Sequence, residues 1–116
     1  MNSCQKGKRG ERELRDVVRA NGFDCRRGQQ FSGSPDSPDV VSSDLKAVYF
    51  ECKRTEKLSI YAAMAQAQTD CGNKHPIVAH KKNHAEWLFV MTEQTLFALI
   101  KDGLDGLEAS EFVKQK

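Results

Sequence analysis

The sequence of 116 residues has no long hydrophobic run and no closely spaced pair of cysteines. Its apolar segments fall short of the roughly 18 residues that a membrane-spanning helix requires. The N-terminal stretch MNSCQKGKRGERE lacks the apolar segment of a secretory signal. The four cysteines form no C-x-x-C, which argues against a disulfide framework and a zinc ribbon. We therefore expect a cytoplasmic protein with reduced thiols and no membrane partner.

Four residues of types that can bind zinc lie near one another in the sequence: Cys71, His75, His80 and His84. Their spacing matches no standard zinc pattern, and two of them flank a predicted strand. We therefore favour the interpretation that this group is a buried cysteine with three histidines that lie at the surface or face DNA.

Charge is distributed unevenly along the chain. The net charge is only +2, which by itself would not indicate a nucleic-acid partner. Residues 6–27, however, contain eight lysines and arginines against four acidic residues, whereas acidic residues dominate most of the segment after residue 101. The N-terminal part of the chain is therefore the part that attracts phosphate.

Apolar spacing and turn-forming residues predict a single domain over residues 1–116. Leu14, Val17 and Val18 have helical spacing, and Asn21 with Gly22 supplies a helix stop. The full set of predicted elements is a helix (8–21), a short strand (23–27), a loop (28–38), a hairpin (39–53), a helix (59–71), two strands (76–80 and 86–91) and a helix (92–100). This order, αβββαβ(β)α, implies an α/β (α+β) fold with a central mixed β-sheet flanked by helices.

The tripeptide Ser-Pro-Asp occurs twice in succession, so Asp36 and Asp39 look locally interchangeable. The predicted hairpin separates them, because its turn places residue 39 opposite Glu51 and residue 36 beyond the regular pairing. Lys53 emerges on the same face as Glu51, with Cys52 on the other face. Like charges buried in a sheet are costly unless a cation neutralises them. Mg²⁺ or Mn²⁺ suits a site made of oxygen ligands.

Helical geometry sorts the residues of the first helix onto two sides. Lys8, Arg12, Arg15 and Arg19 fall within a narrow wedge, and Gly10, Leu14, Val17, Val18 and Asn21 fill the side that faces the sheet. Glu11 lies on the border between the two sides, so it can reach a site at the sheet, whereas Glu13 lies beyond the apolar stripe. The simpler interpretation of both glutamates, favoured here for Glu13, is that they place negative charge near the helix N-terminus.

Three short motifs follow one another in the chain: G-x-x-x-E-R-E at Gly7–Glu13, P-D at Pro38 and Asp39, and E-x-K at Glu51–Lys53. In this order and at these separations they resemble the PD-(D/E)XK nuclease superfamily, which has a restriction-endonuclease-like core. The helix-first arrangement and the small size most resemble archaeal-type and phage Holliday junction resolvases. The resemblance covers about residues 5–91 and leaves 92–116 as a C-terminal extension.

The resemblance implies a metal-dependent, structure-selective endonuclease that hydrolyses phosphodiester bonds in branched DNA during recombination and repair. Matched position by position, it implies metal ligands at Glu11, Asp39, Glu51 and the backbone carbonyl of Cys52, and a catalytic lysine at Lys53. The implied cofactor is Mg²⁺ (or Mn²⁺), which lowers the pKa of a bound water. Lys53 would orient or deprotonate that water or neutralise charge on the phosphorane. A salt bridge from Lys53 to Glu51 is the non-catalytic alternative.

The resemblance also implies that basic and polar residues hold the phosphates of branched or double-stranded DNA without reading bases. These are Lys8, Arg9, Arg12, Arg15, Arg19, Arg26, Arg27, Gln30, Ser32, Lys81 and Lys82. Gln66 and Gln68 on the second helix either support the metal site or are solvated residues of an Ala-rich helix. No small-molecule substrate is expected.

A four-way junction is cut twice, and one chain holds one candidate site, so a homodimer is the simplest architecture. Its interface would come from Ile60, Tyr61 and Met64 or from the final segments. Two other functions remain open: a VRR-type nuclease that cuts flaps or linear duplexes, and a branched-DNA-binding module that cuts nothing. The second is expected to lack an acidic ligand or the lysine, and here all four positions are filled. A phage, bacterial or archaeal setting is expected.

Overall fold

A computed structural model describes residues 3–28 and 40–104 of the chain. Its elements are α1 (Ser3–Ala20), β1 (Arg26–Arg27), β2 (Val40–Val41), β3 (Val48–Arg54), α2 (Ile60–Asp70), β4 (His75–Lys81), β5 (Leu88–Met91) and α3 (Glu93–Leu104). The predicted order of helices and strands is confirmed. The bounds differ most in α1, which begins five residues earlier than predicted, and in α3, which ends four residues later. Most of the predicted loop, and Asp36 and Asp39 with it, lies outside the described residues.

The five strands form one mixed sheet in the order β1-β2-β3-β4-β5. Strands β3 and β4 are parallel, and the other neighbouring strands are antiparallel. Val40 pairs with Phe50, which is the register that the predicted hairpin requires. Because β3 and β4 are parallel, the chain must cross over between them, and α2 makes this crossover while packing against both strands.

The two faces of the sheet carry separate hydrophobic clusters, because successive residues of a strand point to opposite faces. On one face, Leu14 and Val18 of α1 pack with Phe50 and Ile77. On the other face, Tyr49 and Val78 pack with buried residues of α2, which are Ala63, Met64 and Ala67. Met64 therefore belongs to the core, and the idea that it contributes to a dimer surface is wrong.

Helix α1 is amphipathic as predicted, with Leu14 fully buried and Val18 nearly so. Asn21, which was expected to face the sheet, is exposed. The physical reason is that α1 ends at Ala20, so helical spacing no longer applies at residue 21. The Asn21 side chain instead donates a hydrogen bond from Nδ2 to the Val17 carbonyl at 2.8 Å, and Gly22 follows with a φ of +93°. None of the described helices is long and apolar enough to cross a membrane.

Gly10 lies where α1 approaches β3 most closely. A Cβ atom added at Gly10 would lie 2.5 Å from the Arg54 Cβ and 3.4 Å from the Cys52 Sγ. The first of these separations is shorter than real Cβ contacts, and the Arg54 Cβ is fixed to the backbone of β3. The absence of a side chain at Gly10 therefore sets how near the helix comes to the strand.

We predict that Gly10→Ala destabilises the protein although alanine is the better helix former. Overpacking costs about 1–3 kcal/mol, and the separation of 2.5 Å from the Arg54 Cβ places this substitution in the upper part of that range, above the gain of about 1 kcal/mol in helix propensity. Gly103→Ala is the matched control, because Gly103 lies in α3 with nothing within 4 Å of an added Cβ; it should stabilise by up to about 1 kcal/mol. Urea unfolding followed by circular dichroism measures both. Stabilisation by both substitutions would contradict the close approach of α1 to β3.

Candidate active site

Glu51 and Lys53 lie two residues apart on β3 and point to the face of the sheet that α2 covers. Glu51 is buried, with 8% of its surface exposed. The Tyr49 hydroxyl donates a hydrogen bond to the Glu51 Oε1 at 3.4 Å. The Lys53 Nζ lies 3.8 Å from the Glu51 Oε2. Tyr49, Glu51 and Lys53 therefore form a row in which a buried carboxylate lies between a phenol and an ammonium group.

The distance between Lys53 and Glu51 describes an ion pair, but it is too long for a hydrogen bond. The Lys53 side chain is also 36% exposed, whereas that of Glu51 is 11% exposed. The carboxylate is consequently held in place by the fold, while the ammonium group lies at the solvent boundary. A lysine in this position can meet a group that approaches from solvent.

A cavity of about 270 Å³ opens beside Lys53, between β3 and the first turns of α2. Lys53, Leu58, Ser59, Ala62, Ala63 and Gln66 line it. Its volume corresponds to roughly nine water molecules, so a phosphate group fits. Ser59 is the N-cap of α2, but its side chain makes no capping hydrogen bond. The cavity thus combines a cation, a hydroxyl group and an amide.

The two glutamines of α2 have different surroundings. Gln66 lines the cavity beside Lys53 and donates a hydrogen bond from Nε2 to the Asp70 Oδ2 at 2.6 Å. Gln68 lines a different cavity together with His75 and Thr92. Because His75 begins β4 and β4 runs parallel to β3, that cavity lies at the end of the sheet away from Lys53. Of the two, the structure brings only Gln66 close to Lys53.

Glu11 approaches from α1, which packs on the face of the sheet that carries Cys52. Its side chain is 13% exposed, and the Arg27 Nε donates a hydrogen bond to the Glu11 Oε1 at 3.3 Å. Arg27 was expected to bind DNA phosphate. The sequence did not indicate that Arg27 would pair with Glu11. Glu11 is thereby directed towards β1, while Glu51 points to the face of α2.

Asp39, the remaining predicted carboxylate ligand, lies outside the described residues. Within residues 3–28 and 40–104, no group of three or more His, Cys, Asp and Glu side chains forms a site that could hold a metal ion. The loose group around Cys71 does not form either. His75 and His80 lie five residues apart on β4, which corresponds to about 16 Å along an extended strand.

The chemistry of the predicted donor set suits a hard divalent cation. Glu11 and Glu51 offer carboxylate oxygens from largely shielded side chains, and hard cations such as Mg²⁺ bind oxygen ligands. The Cys52 side chain lies on the α1 face, near Gly10. The ligand predicted from Cys52 is its backbone carbonyl oxygen and not its thiol, and this oxygen is also a hard ligand.

The basic residues that were expected to hold DNA differ in what they contact. Lys8, Arg9, Arg12, Arg26 and Lys82 are exposed, as is Arg19. Arg19 also has a structural contact, because its Nε donates to the Cys25 carbonyl at 2.8 Å. Arg15 and Lys81 are half-buried, and Arg15 pairs with Asp16 at 3.0 Å. Gln30 and Ser32 lie outside the described residues.

Glu13 has a different role from the one predicted. Because α1 begins at Ser3, Glu13 lies ten residues into the helix, beyond the first turn in which the helix dipole acts. Its Oε2 accepts a hydrogen bond from the Arg54 Nε at 3.0 Å. Arg54 directly follows Lys53 and points to the face that α1 covers, as strand alternation predicts for the residue two after Cys52. Arg54 was not among the residues predicted from the sequence, although strand alternation was the signal that would have found it.

Comparison with known proteins agrees with this geometry. The family model described as "Archaeal holliday junction resolvase (hjc)" matches residues 2–113, a range that extends beyond the motifs and includes α3. The solved structure of Hjc, a Holliday junction resolvase from the archaeal hyperthermophile Archaeoglobus fulgidus, is similar with a TM-score of 0.54 and 26% sequence identity. The similarity covers 74% of this chain and 72% of that one.

No curated protein matches this chain in a sequence search. The family match nevertheless extends over almost the whole sequence, and the structural match confirms the predicted fold class, a mixed sheet flanked by helices. The resemblance first indicated by three short motifs is confirmed, and the chain belongs to the archaeal Holliday junction resolvase (Hjc) family.

Proposed function

We propose that this protein is a metal-dependent endonuclease that resolves Holliday junctions by hydrolysing phosphodiester bonds in branched DNA. The observation that supports this function best is the buried Glu51 paired with the partly exposed Lys53 beside a cavity that fits a phosphate group. Membership of the Hjc family supports the substrate class. A module that only binds DNA would be expected to lack an acidic ligand or the lysine, whereas Glu51 and Lys53 are both present and paired.

Glu51, Asp39 and Glu11, with the Cys52 carbonyl, are the proposed ligands of a Mg²⁺ or Mn²⁺ ion. When bound, such an ion polarises the scissile phosphate and makes a bound water more acidic. The chain itself supplies orientation. The Tyr49 hydroxyl bonds to the Glu51 carboxylate and so restricts its rotation.

Lys53 is the proposed catalytic residue that contacts the reacting groups. Its ammonium group lies beside Glu51 and lines the cavity, so it can orient the attacking water or offset negative charge that develops on the phosphate. The Glu51 carboxylate keeps a counter-charge beside the lysine before DNA binds. The observed ion pair between Lys53 and Glu51 is therefore compatible with the proposed catalytic role of Lys53.

The exposed basic residues of α1 are proposed to hold DNA backbone phosphates. Phosphate contacts fix the position of the DNA and read no bases, so selectivity would come from the shape of the branched substrate. Arg12 represents this surface best, since it is exposed and no described hydrogen bond or ion pair involves it.

Cleavage of three substrates tests the proposed function. With Mg²⁺, the protein should make paired symmetrical cuts in an immobile four-way junction and cut a flap or a linear duplex more slowly; EDTA should abolish cleavage. Glu51→Gln and Asp39→Asn should each reduce the cleavage rate by more than about a hundredfold, because even groups that only support metal ligands are worth 10–100-fold.

Glu86→Gln is the control for these two variants, because Glu86 is an exposed carboxylate that we assign no role; its cleavage rate should equal that of the wild type. Faster cutting of the flap would favour a VRR-type nuclease. Tight binding of the junction without any cut would show a binding module instead.

Salt dependence tests the assignment of Arg12. Arg12→Gln should weaken junction binding and reduce the slope of log K against log [salt] by about 1, as expected for the loss of one phosphate contact. Lys46→Gln removes the same charge from the exposed turn between β2 and β3 and should leave the slope unchanged. Fluorescence anisotropy with EDTA present measures both variants without cleavage. Equal slopes for Arg12→Gln and the wild type would exclude Arg12 from the DNA interface.

A homodimer would give the protein two sites for the two cuts that a four-way junction needs. Exposed apolar residues are available for such an interface on α2, where Tyr61 is 90% exposed and Ile60 is 47% exposed, and on β5 and α3, which present Leu88 and Phe97. Sedimentation equilibrium without DNA should give twice the mass of the chain. If the protein is a monomer at all concentrations, the stoichiometry of its complex with the junction decides between two explanations. Two chains per junction would mean that the dimer forms only on DNA, and one chain would mean that the dimer proposal is wrong.

A further inference from the structure

Arg54 links three parts of the fold that meet at the end of β3. Its side chain is 8% exposed, and its Nε donates to the Glu13 Oε2 on α1 at 3.0 Å. Its Nη2 donates to the Asn83 Oδ1 at 3.0 Å, and its Nη1 donates to the Lys81 carbonyl at 3.4 Å. A nearly buried arginine thus connects α1, the end of β4 and the turn that follows β4.

Glu13 is the residue of α1 that Arg54 contacts, and the Glu13 Oε1 also accepts a hydrogen bond from the Arg9 Nε on the same helix at 3.1 Å. The Glu56 Oε2 lies 3.9 Å from the Arg54 Nη1 and accepts a hydrogen bond from the Asn83 backbone N–H at 2.7 Å. The contacts with Glu56, Asn83 and Lys81 hold the guanidinium group on the sheet even when Glu13 is removed. Loss of the Glu13 carboxylate therefore removes the polar contact between α1 and β3 and leaves Arg54 with its other partners.

The contact lies close in the chain to two of the proposed metal ligands. Glu11 precedes Glu13 by two residues on α1, and Glu51 precedes Arg54 by three residues on β3. All four residues lie in regular secondary structure, so fixing Glu13 to Arg54 also fixes the backbone of Glu11 relative to that of Glu51. Gly10 permits the close approach on which this contact depends.

We propose that Arg54, acting through Glu13, is a positioning residue that holds α1 against the end of β3 and so sets the separation between Glu11 and Glu51. This inference rests on the proposed function, because these two carboxylates are among the ligands assigned to the metal. Arg54 and Glu13 are not among the residues proposed to bind the metal or the DNA. Substitution of either residue is therefore expected to lower the affinity for the metal. A general loss of packing would instead lower the stability of the whole protein.

Binding of Mn²⁺ alone, measured by electron paramagnetic resonance without DNA, tests the inference. Glu13→Ala should raise the Kd for Mn²⁺ by about 10–100-fold, the range found when groups that support metal ligands are removed. Glu13→Gln should recover much of the affinity, because its amide oxygen can still accept the Arg54 Nε–H. The Mg²⁺ concentration that gives half-maximal junction cleavage should rise in the same order.

Asp16→Ala is the matched control, because it removes a carboxylate from the same helix where the side chain is 62% exposed and pairs only with Arg15 among the described residues. Its Kd for Mn²⁺ should remain within about twofold of the wild-type value, since exposed ion pairs contribute little. Circular dichroism melting of each variant shows that it is folded at the assay temperature. If Arg54 and Glu13 act as one unit, the double variant Arg54→Gln/Glu13→Ala should raise the Kd for Mn²⁺ no more than either single substitution does.

Equal Mn²⁺ affinities of Glu13→Ala and Asp16→Ala would overturn the positioning role while leaving the proposed nuclease function intact. The same would follow if Glu13→Ala melted at a lower temperature but bound Mn²⁺ like the wild type, because the contact would then be merely structural. A wild-type protein that neither binds Mn²⁺ nor cuts branched DNA would overturn the proposed function itself.

Discussion

Helix α1 rests on β3 at a separation that only a glycine permits, and the rest of the structure depends on this approach. Gly10 places the helix backbone against the side chains of Arg54 and Cys52. With the helix this close, Leu14 reaches the hydrophobic cluster around Phe50, and Glu13 reaches Arg54. A longer separation would lose the packing and the polar contact together.

The two faces of the sheet carry different groups of candidate residues. The α1 face carries the helix, its basic residues and the Arg54 network, whereas the α2 face carries Tyr49, Glu51, Lys53 and the cavity. Strand β3 belongs to both, since its side chains alternate between the faces. Under the proposed positioning role, a shift of α1 would act on Glu51 through the backbone of β3, because no described residue of α1 lines the cavity beside Lys53.

Periodicity predicted the order of the elements and the pairing of the hairpin, because both follow from local signals: turn residues, alternation, and helix stops. The errors lie where tertiary structure decides. Asn21 was assigned to the sheet-facing side because helical spacing was extended past the true end of α1. Glu13 was interpreted as a dipole contact because the helix start was placed too late. Strand alternation places Arg54 on the face that α1 covers, but Arg54 comes 41 residues after Glu13 in the chain, and no local pattern indicates that the two residues pair.

The sequence could predict the relative positions of some candidate residues, and the set as a whole stays a prediction. Alternation on β3 was sufficient to place Glu51 and Lys53 on one face, and the motifs named Glu11. The sequence did not indicate that Glu11 would contact Arg27, or that α1 and Glu51 would lie on opposite faces. The Glu11 side chain contacts Arg27 of β1, whereas Glu51 is buried on β3, in the middle of the sheet, and a metal shared by the two carboxylates is part of the proposal. In the proposed site, Arg27 would act as a counter-charge to Glu11 before a cation binds, because unpaired carboxylates that lie close together repel one another.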